Sequence, residues 1–136
     1  MFLIKRLSTA DCHQAEHEII DLLKQLSDKP IMFSEVIEAN HSYHIGAYRD
    51  GAVVGLIMAT YMVGWYGNRL YLDGVVVDTN HRRQGCLQAM MMCVETLAVE
   101  LNCKTIDFTS SRHNAKKAYA KLGFETLTTA FRKKIN

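Results

Sequence analysis

Between the β-branched run Val75–Val77 and a long apolar-periodic segment stand Arg82, Arg83, Gln84, Gly85, Cys86 and Leu87, two guanidiniums and a glycine where a helix would begin. A helix start exposes backbone N–H groups that lack intrahelical partners, at the positive end of the helix dipole, and a glycine there lets an anion approach the backbone closely. Guanidinium matches phosphate oxygens bidentately, so Arg82 and Arg83 supply the charge a pyrophosphate needs. The chemistry suggested is phosphate binding by residues 82–87, and the competing reading is a solvated basic cap. Neither GxGxxG nor GxxxxGK[ST] occurs, so the usual dinucleotide and P-loop folds are not indicated.

A second pattern, His13-Gln14-Ala15-Glu16-His17, matches the H-x-x-E-H of some zinc peptidases, with Glu95 as a distant third ligand. At 100° per residue, however, His13 and His17 fall on the face opposite the apolar stripe of their helix. Nothing else in the chain supports a metallopeptidase, and no metal is expected. His44, His81 and His113 have no clustered partners and read as surface or strand histidines. Met90, Met91 and Met92 read as helix core and edge. Trp65 and Tyr66 lie in a loop where they could border an acceptor site. Cys12, Cys86, Cys93 and Cys103 form no CxxC pair, which argues against a disulfide framework or zinc ribbon and for reduced thiols in the cytoplasm.

These residues must be positioned by a chain of 136 residues, one domain's worth, so a single domain over 1–136 is expected. Sixteen Lys and Arg against 14 Asp and Glu leave a net +2, too little for an electrostatic footprint on nucleic acid or an anionic membrane. The uncharged part of residues 51–68 contains glycines and polar residues and reads as a buried strand and loop rather than a membrane span. The order expected is a strand over 2–7, a helix over about 10–27 capped by Ser8 or Thr9, and a short helix at 34–39. Two strands within 42–62 then join at Asp50-Gly51, and a fourth covers 70–77. From Gln84 to about Leu101, Leu87, Met90, Met91, Val94, Leu97, Ala98 and Leu101 keep the spacing of an amphipathic helix. A fifth strand at 104–111, a helix ending at Gly123 and a last strand over 124–135 complete a mixed α/β order β-α-α-β-β-β-α-β-α-β.

The turn at Arg82, Gly85 and Leu87 resembles the R/Q-x-x-G-x-G/A segment of the GCN5-related N-acetyltransferase (GNAT) family, which opens a long helix and carries the acetyl-CoA pyrophosphate. Leu87 departs from the family's small residue. Residues 112–125, RHNAKKAYAKLGFE, resemble the family's R-x-x-A-x-x-x-Y-x-x-x-G-F-E segment, and the hairpin YHIGAYRDGAVVGLIMA fits its second and third strands. The two motifs stand in the family's order, so the resemblance covers roughly 42–135; residues 1–41 agree only in element order. It implies the mixed-sheet acyl-CoA N-acyltransferase fold and acetyl-CoA as co-substrate.

The resemblance also implies roles. Tyr119 would be the general acid near the CoA sulfur, against the alternative of a core tyrosine. Asp73 stands where many members carry a glutamate that accepts the amine proton, and its shorter carboxylate favours a water relay; an ordinary solvent-facing strand aspartate is the alternative. Gly74 suggests a bulge, which the family has where the strand splays to admit pantetheine. Val75 would then offer an oxyanion-facing amide, with Val75, Val76 and Val77 pairing their backbone to pantetheine. Arg82, Arg83, Gln84, Gly85, Cys86, Leu87 and Asn114 complete the implied acetyl-CoA contacts.

The expected activity is direct attack of a primary amine, on a small molecule or protein, in a ternary complex. The alternative is an acyl-CoA-binding regulatory or partner-binding domain with little turnover. Members are often homodimers; neither nucleic acid nor a membrane is expected as a partner.

Overall fold

The structure, a computed structural model, describes residues 1–110, 115–127 and 130–135, Ala115 by its backbone alone. Strand β1 (Leu3–Leu7) leads into helices α1 (Thr9–Gln14) and α2 (Glu16–Lys24), and a short helix α3 (Phe33–Ile37) follows. Strands β2 (Ser42–Arg49), β3 (Ala52–Met62) and β4 (Arg69–Val77) then form a meander. Helix α4 (Cys86–Glu100), strand β5 (Thr105–Asp107) and helix α5 (Ala115–Lys121) complete the order. The sheet runs β1-β2-β3-β4-β5 in sequence order; its first four strands are antiparallel neighbours, and β5 lies parallel to β4. This is the expected mixed α/β acyltransferase architecture.

Local chemistry accounts for the punctuation. Ser8 caps α1 by accepting from Asp11 N at 3.0 Å, and Asp11 returns the bond to Ser8 N at 2.9 Å, closing a capping box. Asp50 and Gly51, with φ of 51° and 81°, make the left-handed turn that a two-residue hairpin favours.

The sheet buries two cores. On one face α4 lays Cys86, Met90, Met91, Val94, Leu97 and Ala98 against Ile45, Ala47, Ile57, Ala59, Leu70 and Leu72. On the other, Cys12, Ala15, Ile19 and Leu22 of the α1–α2 segment meet Leu7, Val53, Leu56 and Val76. Gly55 lets α4 come close to β3, since a Cβ there would meet Cys86 Sγ and Met90 Cε at 3.0 Å.

Three boundaries differ from the sequence reading. The first helix breaks at Ala15 (φ −99°, ψ 17°), which ends α1 and begins α2. Cys12, Ala15 and Ile19 stay buried across this break, so burial is kept although the helix is not continuous. Strand β5 is three residues rather than about eight: it pairs only with Arg69–Tyr71, and Phe108 then turns into ring contacts with Tyr119 and Phe124. The expected last strand is not formed in residues 124–127 and 130–135, which pair with no strand among the described residues and expose Leu127, Phe131 and Ile135.

Candidate active site

Strand β4 carries a bulge. Leu56 pairs with Val76 and Met58 with Asp73, so the single residue Ile57 faces both Gly74 and Val75. Gly74 has φ +59°, the left-handed region where glycine is unstrained. The extra residue reverses which side chains face α4. Leu70 and Leu72 point into the α4 core before the bulge, whereas Val75 and Val77 pack against that core after it and Val76 joins the opposite one. All three valine side chains are therefore committed to packing.

Their backbone has another fate. Strand β5 pairs only with Arg69–Tyr71, so the edge of β4 from Leu72 to Val77 has no strand partner among the described residues. Asp78 N–H donates to Val54 O on β3 at 2.8 Å. Backbone N–H groups alternate sides along an extended chain, which directs those of Val77 and Val75 to the open edge. An edge with unpaired donors and acceptors is a template for an added extended chain.

The open edge runs into the loop before α4. Residues Thr79–His81 form one 3₁₀ turn capped by the Asp78 side chain. Arg83 and Gly85 both have positive φ, 62° and 86°, and flank Gln84. Residues of alternating handedness gather successive backbone N–H groups into a concavity that suits an anion, and here it opens onto the N-terminus of a 15-residue helix. A Cβ on Gly85 would meet nothing within 4 Å, so conformation rather than crowding calls for glycine.

Side chains brace this loop. Arg82 Nε donates to Val77 O at 3.1 Å, and Arg49 Nη1 donates to Gln84 Oε1 at 2.5 Å. Arg49 also lies over the Phe2 ring, 4.6 Å from its centroid. Arg83 is exposed and makes no side-chain hydrogen bond or ion pair among the described residues. Cys86 is buried at the helix start; burial pushes its thiol up, with Arg49 pulling the other way. Leu87 packs its side chain on the α4 core.

Asp73 is exposed just before the bulge, where its Oδ1 accepts from Gly74 N at 2.8 Å. Tyr119, on α5, lies in an aromatic cluster, 4.5 Å from Phe108 and 6.1 Å from Phe124 between ring centroids. This cluster borders a cleft of about 640 Å³ lined by Arg69, Tyr71, Phe108, Thr109, Tyr119 and Phe124 among others. Asp73 and residues 82–87 do not line that cleft. Residues 75–87 thus form one continuous region and Tyr119 stands in another, with Tyr71, whose hydroxyl lies 3.1 Å from Thr109 Oγ1, on the strand they share. Asn114 lies outside the described residues.

The zinc-peptidase pattern gathers no site. His17 pairs with Asp21 at 3.3 Å, His13 contacts the Phe33 ring edge, and no group of three ligating side chains occurs among the described residues. His44 is a buried strand histidine whose Nε2 has no hydrogen-bond partner; burial lowers its pKa, and a backbone hydrogen bond to Val36 raises it in part. Trp65 and Tyr66 are almost fully exposed in the β3–β4 loop.

Arg49 was not among the residues expected at the site. The signal for it lay in topology: in an antiparallel meander β2 and β4 end on the same side of the sheet, so the residue before the Asp50-Gly51 turn meets the loop after Val77. Gln25 and Asp78, which also brace the loop, had no signal of spacing.

The family comparison matches residues 8–124 to the acetyltransferase (GNAT) family, and the chain belongs to that family. The solved structures share its fold throughout. An aminoglycoside acetyltransferase from an uncultured soil metagenomic sample superposes with a TM-score of 0.86 at 19% identity, covering 99% of this chain and 97% of that one. A ribosomal-protein-alanine N-acetyltransferase from Brucella melitensis biovar Abortus 2308 gives 0.83 at 17%, covering 100% of each. The enzyme AAC(6')-Iy, bound to the bisubstrate analogue CoA-S-monomethyl-acetylneamine, gives 0.79 at 21%, covering 98% and 99%. No curated sequence matches the chain significantly. Among the described residues, no helix is long and apolar enough to cross a membrane.

Proposed function

We propose that this chain, acting as one domain, transfers the acetyl group of acetyl-CoA to a primary amine by direct attack within a ternary complex. One observation carries the reading: the open backbone edge of β4 after the Gly74 bulge leads without interruption into the left-handed loop at the start of α4. The first part fits an extended, amide-bearing pantetheine arm, and the second fits a pyrophosphate. Family membership and the CoA analogue held by a protein of the same fold support the same choice.

Acetyl-CoA supplies a thioester carbon already disposed to attack. The chain's own groups hold the arm and manage charge and protons. Val75 N–H, directed to the open edge, is the donor for the carbonyl oxygen as it gains negative charge, and Val77 N–H pairs with the arm. Arg83 and the amides around Gly85 take the diphosphate, joined by Arg82, Gln84, Cys86 and Leu87. The leucine's bulk is directed into the core, so it leaves the amide approachable. Asp73 receives the amine's proton through water. Tyr119 gives a proton to the departing thiolate, reaching the sulfur from α5 across the unpaired edge of β4. Asn114 is assigned to the same arm by its motif alone.

The acceptor is an amine of a small molecule or a protein, and the reaction requires no metal. The cytoplasm is the proposed compartment, in keeping with four free cysteines. Relatives of one fold carry names as different as aminoglycoside and ribosomal-protein-alanine acetyltransferase, so the fold does not choose the acceptor.

The test has two stages. Acetyl-CoA at millimolar concentration should raise the melting temperature, because a ligand bound only by the native state stabilises it by mass action. Free thiol should then be released from acetyl-CoA in the presence of one of a panel of amines. Binding without turnover on any amine would make the chain an acyl-CoA-binding regulatory module; no binding of any CoA species would remove both readings.

A further inference from the structure

We propose that Gln25 is a positioning residue for the cofactor loop, holding the start of that loop at Asp78 and Thr79 from the end of α2. The inference rests on the acetyl-CoA reading for its purpose, and on its own geometry for its existence.

Gln25 is the residue that ends α2; its backbone N–H donates to Leu22 O at 3.0 Å and the N–H of Leu26, next in the chain, donates to Leu23 O at 3.0 Å, so its own position is fixed by the end of the helix. Its side chain reaches residues more than fifty positions away. Nε2 donates to Asp78 Oδ1 at 2.9 Å, and Oε1 accepts from Thr79 N at 3.2 Å and from Thr79 Oγ1 at 3.1 Å. The polarity admits one arrangement. An ionised carboxylate only accepts and a backbone N–H only donates, so the amide must present nitrogen to Asp78 and oxygen to Thr79.

Asp78 is a junction rather than a free acid. Its other oxygen accepts from Asn80 N at 3.1 Å and lies 2.9 Å from His81 Nδ1, and its own N–H is fixed to β3 through Val54 O. The Gln25 bond is the largest cause of its lowered pKa, followed by His81. Two residues before Gln25, Leu23 Cδ2 lies 3.3 Å from where a Cβ on Gly74 would stand. One turn of α2 therefore touches both the bulge that opens the β4 edge and the loop that follows it. Water competes for hydrogen bonds at so exposed a site, so their net effect on stability is small. Their effect on position is larger, because three bonds with opposed polarity define one place for residues 78 and 79.

Gln25→Ala should weaken CoA binding about three- to tenfold, the effect of roughly one net hydrogen bond. The kcat at saturating acetyl-CoA should be retained. With S-acetylpantetheine, a donor lacking the diphosphate, kcat/KM should stay within about twofold of wild type, because that donor makes no use of the loop. Gln25→Glu sets two carboxylates face to face and should bind CoA more weakly than Gln25→Ala. Gln25→Glu combined with Asp78→Asn reverses the polarity of the bond and should recover affinity.

An unchanged CoA affinity in Gln25→Ala, an equal loss with both donors, or a double variant no better than Gln25→Glu would overturn the proposal. Amide hydrogen exchange gives a readout that needs no ligand: Thr79 N–H should exchange faster in Gln25→Ala, and an unchanged rate would also overturn it. If wild type binds no CoA, the acetyl-transfer reading fails, and the exchange rate alone decides the clasp.

Discussion

The loop from Asp78 to Gly85 and the corner around Tyr119 are built differently, although the corner also holds the hydrogen bond between the Tyr71 hydroxyl and Thr109 Oγ1. The loop is braced by directional bonds: Asp78 to Asn80 and His81, Gln25 to Asp78 and Thr79, Arg82 to Val77 O, and Arg49 to Gln84. The corner is packed by rings, with Phe108, Tyr119 and Phe124 in tilted and edge contacts at 4.5 to 6.1 Å. Hydrogen bonds lose strength steeply with angle, so a lattice of them fixes atoms to one place. Ring contacts add the burial of large apolar surfaces and favour offset or edge-to-face arrangements. Under the proposed function the two regions have different duties: the loop would recognise a diphosphate, and the corner would reach the sulfur of the bound donor.

The largest effect expected on this contrast comes from Arg82→Ala combined with Arg83→Ala. Charge-assisted hydrogen bonds contribute about 1.5–3 kcal/mol each, and Arg82 already gives one N–H to Val77 O, so acetyl-CoA affinity should fall about a hundredfold. Isothermal titration would read this, and turnover at saturating donor should largely return. Unchanged affinity would reduce the arginines to a solvated cap.

Tyr119→Phe should do the reverse. It removes a proton donor and keeps the ring's place between Phe108 and Phe124, so donor affinity should hold. General acid catalysis contributes about 10²–10⁴-fold, and because a thiolate leaves readily the fall in kcat should be about a hundredfold or less. Equal kcat values, with chemistry shown to be rate-limiting, would make Tyr119 a packing residue.

Gly85→Ala is a smaller and more local change. Alanine at φ 86° is strained by about 1–2 kcal/mol, with open space around the new methyl group. Denaturant titration should show a loss of that order, accompanied by weaker acetyl-CoA binding. A drop in stability with binding intact would separate the glycine's conformational role from the anion site.

The smallest effect lies in the core. Burial holds the His44 pKa below its ordinary 6.5, so the folded state favours the neutral ring. Its contribution is complete above that value and is lost as pH falls from 6.5 toward the lowered folded-state pKa, because the unfolded chain takes up the proton first. Asp78 acts in a lower window: its carboxyl is depressed, and its contribution is lost as pH falls below about 3.8. In His44→Leu, the stability change between about pH 6.5 and 5 should flatten relative to wild type. A slope equal to that of wild type would assign the acid response to other groups.

Much of the fold could be read from local pattern. The spacing of Met90, Met91, Val94, Leu97 and Ala98 marked α4, Asp50-Gly51 marked the hairpin, and Gly74 inside a strand marked the bulge, because helical period, turn conformation and backbone strain belong to a few consecutive residues. The loop before α4 was legible for the same reason, since a glycine and arginines before an apolar helix are contiguous. The break at Ala15 was not, because an unbroken apolar rhythm continues through it and the choice depends on how Cys12 and Ile19 meet the sheet.

The length of β5 depended on tertiary contacts, for the edge of β4 runs on to Val77 but Phe108 leaves it after Tyr71 to meet the Tyr119 and Phe124 rings. Arg49 and Gln25 reach the loop from 35 and 53 residues away, and no periodicity encodes a contact across such a separation. The sequence by itself determined the fold family, the long helix α4 and the glycine and arginines that precede it. Only the tertiary structure decided which distant side chains brace that site, because those contacts exist only once the sheet has brought the ends of β2, β4 and α2 together.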